Sequence, residues 1–282
     1  MNTSWARPAR GLTGWESWHA WLLVAATFVI LFGGTVAGLF ADWARSGEYG
    51  HGFLLLPVSA YLAWKRRLAA REPTRRMGLA VLFGAVLLFM LGTVAAEFFT
   101  RRLAVWLALA GLCLYYAGAR QLKAWWLPFF LLLFTIPLPE VVLNSITLPL
   151  QLFASRVAVA TLKFRHVPAA LAGNIIFLPG QQLFVAEACS GLRSVSALLG
   201  LTLLMAGTGL TTPLFRGLLV ALAVPAALLA NVFRVFATGY AAYYIGPDVA
   251  EGALHEVAGM AVFLLALGLV ALVMLLLRRV ES

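Results

Sequence analysis

Along this chain, long runs without Lys, Arg, Asp or Glu alternate with short polar segments. Trp21 to Ala41, Met77 to Ala96, Val195 to Phe215 and Val257 to Leu277 each hold about 20 residues, enough to cross a hydrocarbon layer of roughly 30 Å as a helix. Leu103 to Ala119 and Ala124 to Pro139 are shorter but adequate where the bilayer thins or flanking groups snorkel. Gly217 to Tyr244 is long and carries Arg234 inside it, and Gly52 to Trp64 is the shortest candidate. In Val141 to Lys163, the polar residues Asn144, Thr147, Gln151 and Ser155 recur every three or four positions. That spacing forms one helical stripe and predicts an amphipathic helix at the outer interface, with Pro149 as a kink point. A true span is the alternative. Between Asn174 and Val185, two short extended runs flank Pro179-Gly180, the pattern of a small hairpin or ordered loop leading toward Cys189.

The pattern predicts an all-α, polytopic membrane helical bundle. It would have about eight transmembrane helices, one interfacial amphipathic helix and a short outer-face loop or hairpin. A single integral-membrane domain would cover residues 1–282. Composition removes the soluble alternative: 62% of the chain is hydrophobic and 11% is charged, against roughly 45–50% and 25% in soluble domains. Mean hydropathy is +0.92.

The net charge of +10 therefore needs a membrane reading before a nucleic-acid one. Lys65, Arg66, Arg67, Arg71, Arg75 and Arg76 form the densest basic cluster, and such clusters hold loops on the cytoplasmic side. With Arg7, Arg10, Arg120, Lys123, Arg216, Arg278 and Arg279 they place both termini on the cytoplasmic side of a cytoplasmic (inner) membrane. Arg101 and Arg102 then fall on the outer side, against the rule. No soluble segment is left to carry a nucleic-acid surface. Two cysteines, Cys113 and Cys189, make no disulfide framework.

An ionisable group inside or bordering a membrane span is a functional candidate by default. Cys189 stands where a polar loop gives way to an apolar helix, in Glu187-Ala188-Cys189-Ser190-Gly191-Leu192-Arg193-Ser194. A thiol at a helix N-terminus ionises more readily, and Ser190 is a candidate cap. Arg193 opposes the dipole there and wants an anionic partner: the thiolate, Glu187 or a substrate. A buried, inert cysteine is the plainer alternative, and it suits Cys113 better. Arg234, in Asn231-Val232-Phe233-Arg234, offers a fork of donors to a carboxylate or an oxyanion, or else serves structure alone. His255, at the start of the last span, exchanges protons near pH 7, or is an ordinary interfacial residue. Together the three are the parts of covalent acyl transfer. Arg234 lies ten residues before Tyr244, about 15 Å along a helix, a depth that His255 does not share. His51, His166, Cys189 and His255 have no local metal-ligand spacing, so neither metal nor cofactor is expected.

These blocks, in this order, resemble the exosortase family, multi-pass membrane cysteine enzymes related to archaeosortases. The resemblance rests on Tyr49-Gly50-His51-Gly52, Phe134-Thr135-Ile136-Pro137-Leu138-Pro139, the Glu187 to Ser194 block, Asn231 to Arg234 and His255 to Gly259. The cysteine block is specific; the others are weak singly. The resemblance implies that Cys189 is the nucleophile, with Arg234 and His255 as the other catalytic residues. It also implies the substrates: exported proteins whose C-terminal sorting tail (PEP-CTERM type) joins a Pro-Glu-Pro motif, a hydrophobic helix and a basic end. Cleavage on the outer, periplasmic side would pass the protein through a thioester to an acceptor that the sequence does not identify. Glu187, Ser190, Arg193, Asn231 and His51 are supporting candidates; Arg193 could receive the motif's glutamate or pair with Glu187. A transporter would use the same intramembrane arginine but usually shows paired broken helices in two related halves, which are not evident here. A non-catalytic membrane scaffold would keep the spans without needing Cys189.

Overall fold

The computed structural model describes residues 14–45, 49–69, 72–185, 192–246 and 252–281. In chain order the elements are α1 (Gly14–Arg45), α2 (Gly52–Lys65), α3 (Arg75–Val94), α4 (Phe98–Tyr116), α5 (Ala119–Ala124), α6 (Trp126–Leu133) and α7 (Glu140–Phe164). A sheet of β1 (Ala170–Ala172), β2 (Ile175–Leu178) and β3 (Gln181–Phe184) follows, then α8 (Leu192–Gly209), α9 (Pro213–Ile245) and α10 (Gly252–Glu281). Six of these helices are long and apolar enough to cross a membrane, those of α1, α3, α4, α7, α9 and α10; α2 and the Val195–Gly209 part of α8 are shorter apolar helices. The protein is an all-α polytopic membrane bundle.

Small residues set the closest helix pair. A methyl group on Gly78 would meet the backbone of Tyr115, one on Gly92 the backbone of Arg101, and one on Gly111 the side chain of Leu82. The three contacts share one antiparallel register, so α3 and α4 approach along their whole length, as small residues permit between helices in lipid.

Three segments depart from the expectation. The run from Val195 to Phe215 stops being helical after Gly209, and Pro213 opens α9. The fifth apolar run shortens to α6, which spans eight residues, or about 12 Å. Pro137 and Pro139 explain the stop, since proline lacks the N–H and disfavours helix in the residue before it. The Thr135 hydroxyl turns back to the Leu132 carbonyl at 2.7 Å. In α7, Thr147, Gln151 and Ser155 are buried together with Ala154, Ala158 and Leu162, while Val141, Ile146, Leu148 and Phe153 are exposed. From Thr147 onward the polar stripe therefore faces protein and the apolar face is outermost, whereas Asn144 in the first turns is exposed. This is the reverse of a helix with its polar side in water, because in lipid the polar groups must find their partners inside.

The hairpin expected around Pro179-Gly180 is present as β2 and β3, and β1 extends it into a three-stranded antiparallel meander. Gly180 takes φ +74° after the proline, the arrangement of a type II turn, where a side chain at that position would be strained. Ile176, Leu178 and Val185 from the sheet are buried against Ala158 and Leu162 of α7 and Val235 and Ala242 of α9.

Candidate active site

α9 is 33 residues long, about 50 Å, and exceeds the hydrocarbon layer. Its two halves have different neighbours. Leu219, Ala223 and Ala227 pack with Leu198 and Ala206 of α8 and with Ala266 and Val270 of α10. Val235 and Ala242 pack with α7 and the sheet. Arg234 stands at the junction of the two halves.

From that junction the Arg234 side chain crosses to α10. A methyl group built on Gly259 would lie 2.7 Å from Arg234 Cζ, 2.8 Å from Nη2 and 3.0 Å from Nε. The guanidinium is thus seated on bare backbone, in space that any other residue at 259 would fill. His255 lies four residues earlier in α10. Its position is on the same helix face, one turn (about 6 Å) nearer the helix start. The depth difference expected from the sequence disappears because α9 overshoots the start of α10: Gly259, not the end of α9, sets the level of Arg234.

Asn231 lies one turn before Arg234 and is buried. With Leu198, Ala230, Phe263, Arg234 and Gly259 it lines a crevice of about 10 Å³ between α8, α9 and α10, room for roughly one water molecule. The first turns of α8 and of α10 flank the middle of α9 at this level.

Cys189, Glu187 and Ser190 lie outside the described residues, as do the side chains of Arg193 and His255. The backbone of Arg193 is in the first turn of α8, and that of His255 in the first turn of α10. The described chain on the near side of the cysteine is firmly held. Val185 is buried; its N–H donates to the Asn174 carbonyl at 3.0 Å, and the Asn174 side-chain amide donates to the Val185 carbonyl at 3.3 Å. Gln181 Nε2 donates to the Ala242 carbonyl at 2.8 Å, which fastens β3 to the end of α9. The sheet thus brings the chain to the upper half of α9 four residues before Cys189, and α8 takes it up three residues after.

His51 is held elsewhere on the same end of the bundle. Its Nε2 lies 3.2 Å from the Phe134 carbonyl, and the hydroxyl of neighbouring Tyr49 accepts from the Leu138 N–H at 3.2 Å. α2 and α8 run parallel: Leu55 is against Gly200, and Arg66 Nη2 donates to the Gly207 carbonyl at 2.7 Å. His51 therefore stands level with the first turns of α8, joined to the linker between α6 and α7. In the sequence Gly259 only closes the His255 to Gly259 block and has no role of its own, although its spacing of four from His255 is a visible signal.

The family model for transmembrane exosortases (EpsH) matches residues 43–272, most of the chain and every site residue named above. The chain belongs to the transmembrane exosortase family. Neither a curated protein nor a solved structure matches it. Exosortase membership makes the protein, at the coarse level, a membrane transpeptidase or protease of the cysteine class that acts on exported proteins with C-terminal sorting signals. The match begins at Trp43 and so includes the Tyr49–His51 turn, the α6–α7 linker and the Arg234–Gly259 seat in one unit.

Proposed function

We propose that this exosortase is a cysteine transpeptidase in which Cys189, Arg234 and His255 act on a PEP-CTERM-type tail at the periplasmic face of the inner membrane. The observation that carries the reading is the Arg234 guanidinium seated on Gly259, one turn from His255. The Cys189 thiolate attacks the scissile carbonyl carbon, and its oxygen becomes an oxyanion facing the Arg234 fork. His255, protonated, gives its proton to the departing amine as the C–N bond breaks. The exported protein is then held as a thioester, which an acceptor amine or water resolves. Asn231, on the Arg234 face of α9, supports the fork. Glu187 and Ser190 flank the nucleophile in the sequence, and Arg193 receives the glutamate of the tail's motif. His51 lines the approach from the α6–α7 side.

Charge distribution supports the orientation. Arg66 and Arg216 hydrogen-bond the Gly207 and Leu210 carbonyls at the far end of α8, opposite the end that carries His255. Cytoplasmic placement of that basic end puts the proposed site outside. Arg101 and Arg102, which break the rule in the sequence, are occupied within the fold. Arg102 is buried and paired with Asp42, and Arg101 donates to Thr35 Oγ1 at 3.2 Å.

Co-expression with a protein bearing a Pro-Glu-Pro sorting tail, followed by mass spectrometry of its new C-terminus, tests the reaction and names the attached group. The wild type yields a shortened product, and Cys189→Ala leaves the substrate full length. Unchanged processing by Cys189→Ala would refute the assignment.

A further inference from the structure

A second site lies on the same end of the bundle, among α1, α4 and the α6–α7 linker. A polar cleft of about 630 Å³ is lined by Asp42, Arg45, Tyr49, Glu97, Arg102 and Glu140. Below it is an apolar crevice of about 130 Å³, lined by Val36, Leu39, Phe40, Leu56, Val105 and Leu109. Arg102 lines both cavities. Its residue is 7% exposed, and its Nε has no hydrogen-bond partner among the described residues.

The crevice offers almost nothing to a polar ligand. Trp43 Nε1 is committed to the Thr135 carbonyl and Trp106 Nε1 to the Phe129 carbonyl, both at 2.8 Å. The Thr135 hydroxyl is committed to Leu132, and Thr35 accepts from Arg101. What remains is hydrocarbon surface that opens toward lipid beside the exposed rings and side chains of Phe40 and Leu109. A lining of this kind suits the methylenes of an acyl chain.

The cleft above carries both signs of charge. Arg45 and Arg102 oppose Asp42, Glu97 and Glu140, so the lining balances to one net negative charge with Asp42 already paired to Arg102. A purely anionic headgroup would meet excess carboxylate. A headgroup with both a phosphate and an ammonium complements the exposed members of the set: phosphate to Arg45 and ammonium to Glu140, with Glu97, whose oxygens already cap α4, beside it.

We propose that this cleft and crevice together bind one zwitterionic glycerophospholipid, headgroup in the cleft and one acyl chain beneath Arg102. The site is separate from the α8–α9–α10 crevice and does not depend on the proposed reaction.

Native mass spectrometry of the full-length protein released from nanodiscs of equal parts phosphatidylethanolamine and phosphatidylglycerol tests it. One phosphatidylethanolamine remains per protein, preferred roughly tenfold over phosphatidylglycerol, the equivalent of about 1.4 kcal/mol. Val105→Trp, which fills the crevice, abolishes retention. Because that variant could fail to fold, the exposed rim variants Arg45→Glu and Glu140→Lys are measured beside it, and each lowers retention roughly fivefold at unchanged thermal unfolding. Equal retention of both lipids, or rim variants that hold lipid as the wild type does, would overturn the proposal. So would displacement of the lipid by a synthetic sorting-tail peptide, which would make the groove the seat of the tail.

Discussion

Arg102 and Arg234 both lie within apolar helices of this exosortase, and the fold treats them differently. Arg102, in the first turns of α4, is buried, donates to Asp42 and lies over the Phe98 ring. Its charge is answered by a carboxylate from α1, so part of its work is to join two helices. Arg234, in the middle of α9, is only half-buried and reaches across to α10, where a glycine leaves room for it. A charge in a membrane protein costs free energy wherever it is placed. At Arg102 the fold offsets that cost with an ion pair. At Arg234 it clears a seat, with Asn231 and a crevice of one water's size beside the guanidinium. The ion pair ties α1 to α4; the space on α10 beside a crevice suits the oxyanion role proposed for Arg234.

Exchange of Arg234 for lysine breaks this comparison most directly. Lysine keeps the charge but loses the planar fork. If the fork faces an oxyanion, Arg234→Lys lowers processing of a co-expressed sorting-tail substrate by about 10²- to 10³-fold, the usual cost of one oxyanion donor, while thermal unfolding in detergent stays near wild type. Near-normal processing would make Arg234 a structural residue like Arg102. Gly259→Ala sharpens the same point without touching the arginine. The new methyl stands 2.7 Å from Cζ, so the guanidinium must move. A shift of that order costs on the order of 10–100-fold in turnover. Gly268→Ala, further along the same helix with nothing within 4 Å of the added methyl, is the control and is expected to be silent. Equal activity of the two variants would remove the argument for a seat.

Much of this was legible in the sequence because hydrocarbon imposes strict rules. The long apolar runs became α1, α3, α4, α9 and α10, and Pro179-Gly180 marked the hairpin. The polar stripe of α7 was visible, but which side it faces depends on whether water or protein lies against it. Periodicity alone does not decide that. The shortness of α6 was written in Pro137 and Pro139 and outweighed by the apolar residues before them. The alignment of Arg234 with Gly259 was not legible, since it depends on how far α9 projects past the start of α10. The sheet and α7 clothe that end of α9 from positions about 50 to 90 residues earlier in the chain. The two dissenting arginines of the charge rule were also opaque until Asp42 and Thr35 were placed beside them.

The Arg102 side of the comparison predicts a stability effect instead. Arg102→Met leaves the Asp42 carboxylate without its partner, and because the Asp42 side chain is 42% exposed, water takes up part of the loss. The expected destabilisation is about 1–3 kcal/mol, below the 3–5 kcal/mol of a fully buried pair, measured by denaturant unfolding in detergent. Asp42→Asn in the same background should restore most of it. Failure of the second change to restore stability would mean that Arg102 supports the fold through Phe98 and packing, not through its charge.

The smallest expected effect is at Glu97, five residues before Arg102. Its carboxylate caps α4 by accepting from the Phe99 N–H at 2.9 Å and from the Thr100 N–H. Burial opposes ionisation of this group, but the hydrogen bonds from Thr100 and Phe99 and the charge of Arg102 outweigh it and hold the carboxyl below its ordinary value of 4.5. A carboxyl with a lowered native pKa binds fewer protons folded than unfolded. Its contribution is complete above the unfolded value and is lost as pH falls through the native one. Glu97→Ala should therefore cost about 1 kcal/mol at pH 7, the usual worth of a helix cap, and the gap from wild type should narrow in strongly acid buffer as the wild-type carboxyl takes up its proton. Unfolding curves for both proteins at pH 7 and near pH 3 measure that gap. A gap of equal size at both values would mean that the side chain caps α4 without its charge, and that Arg102 spends its charge on Asp42 alone.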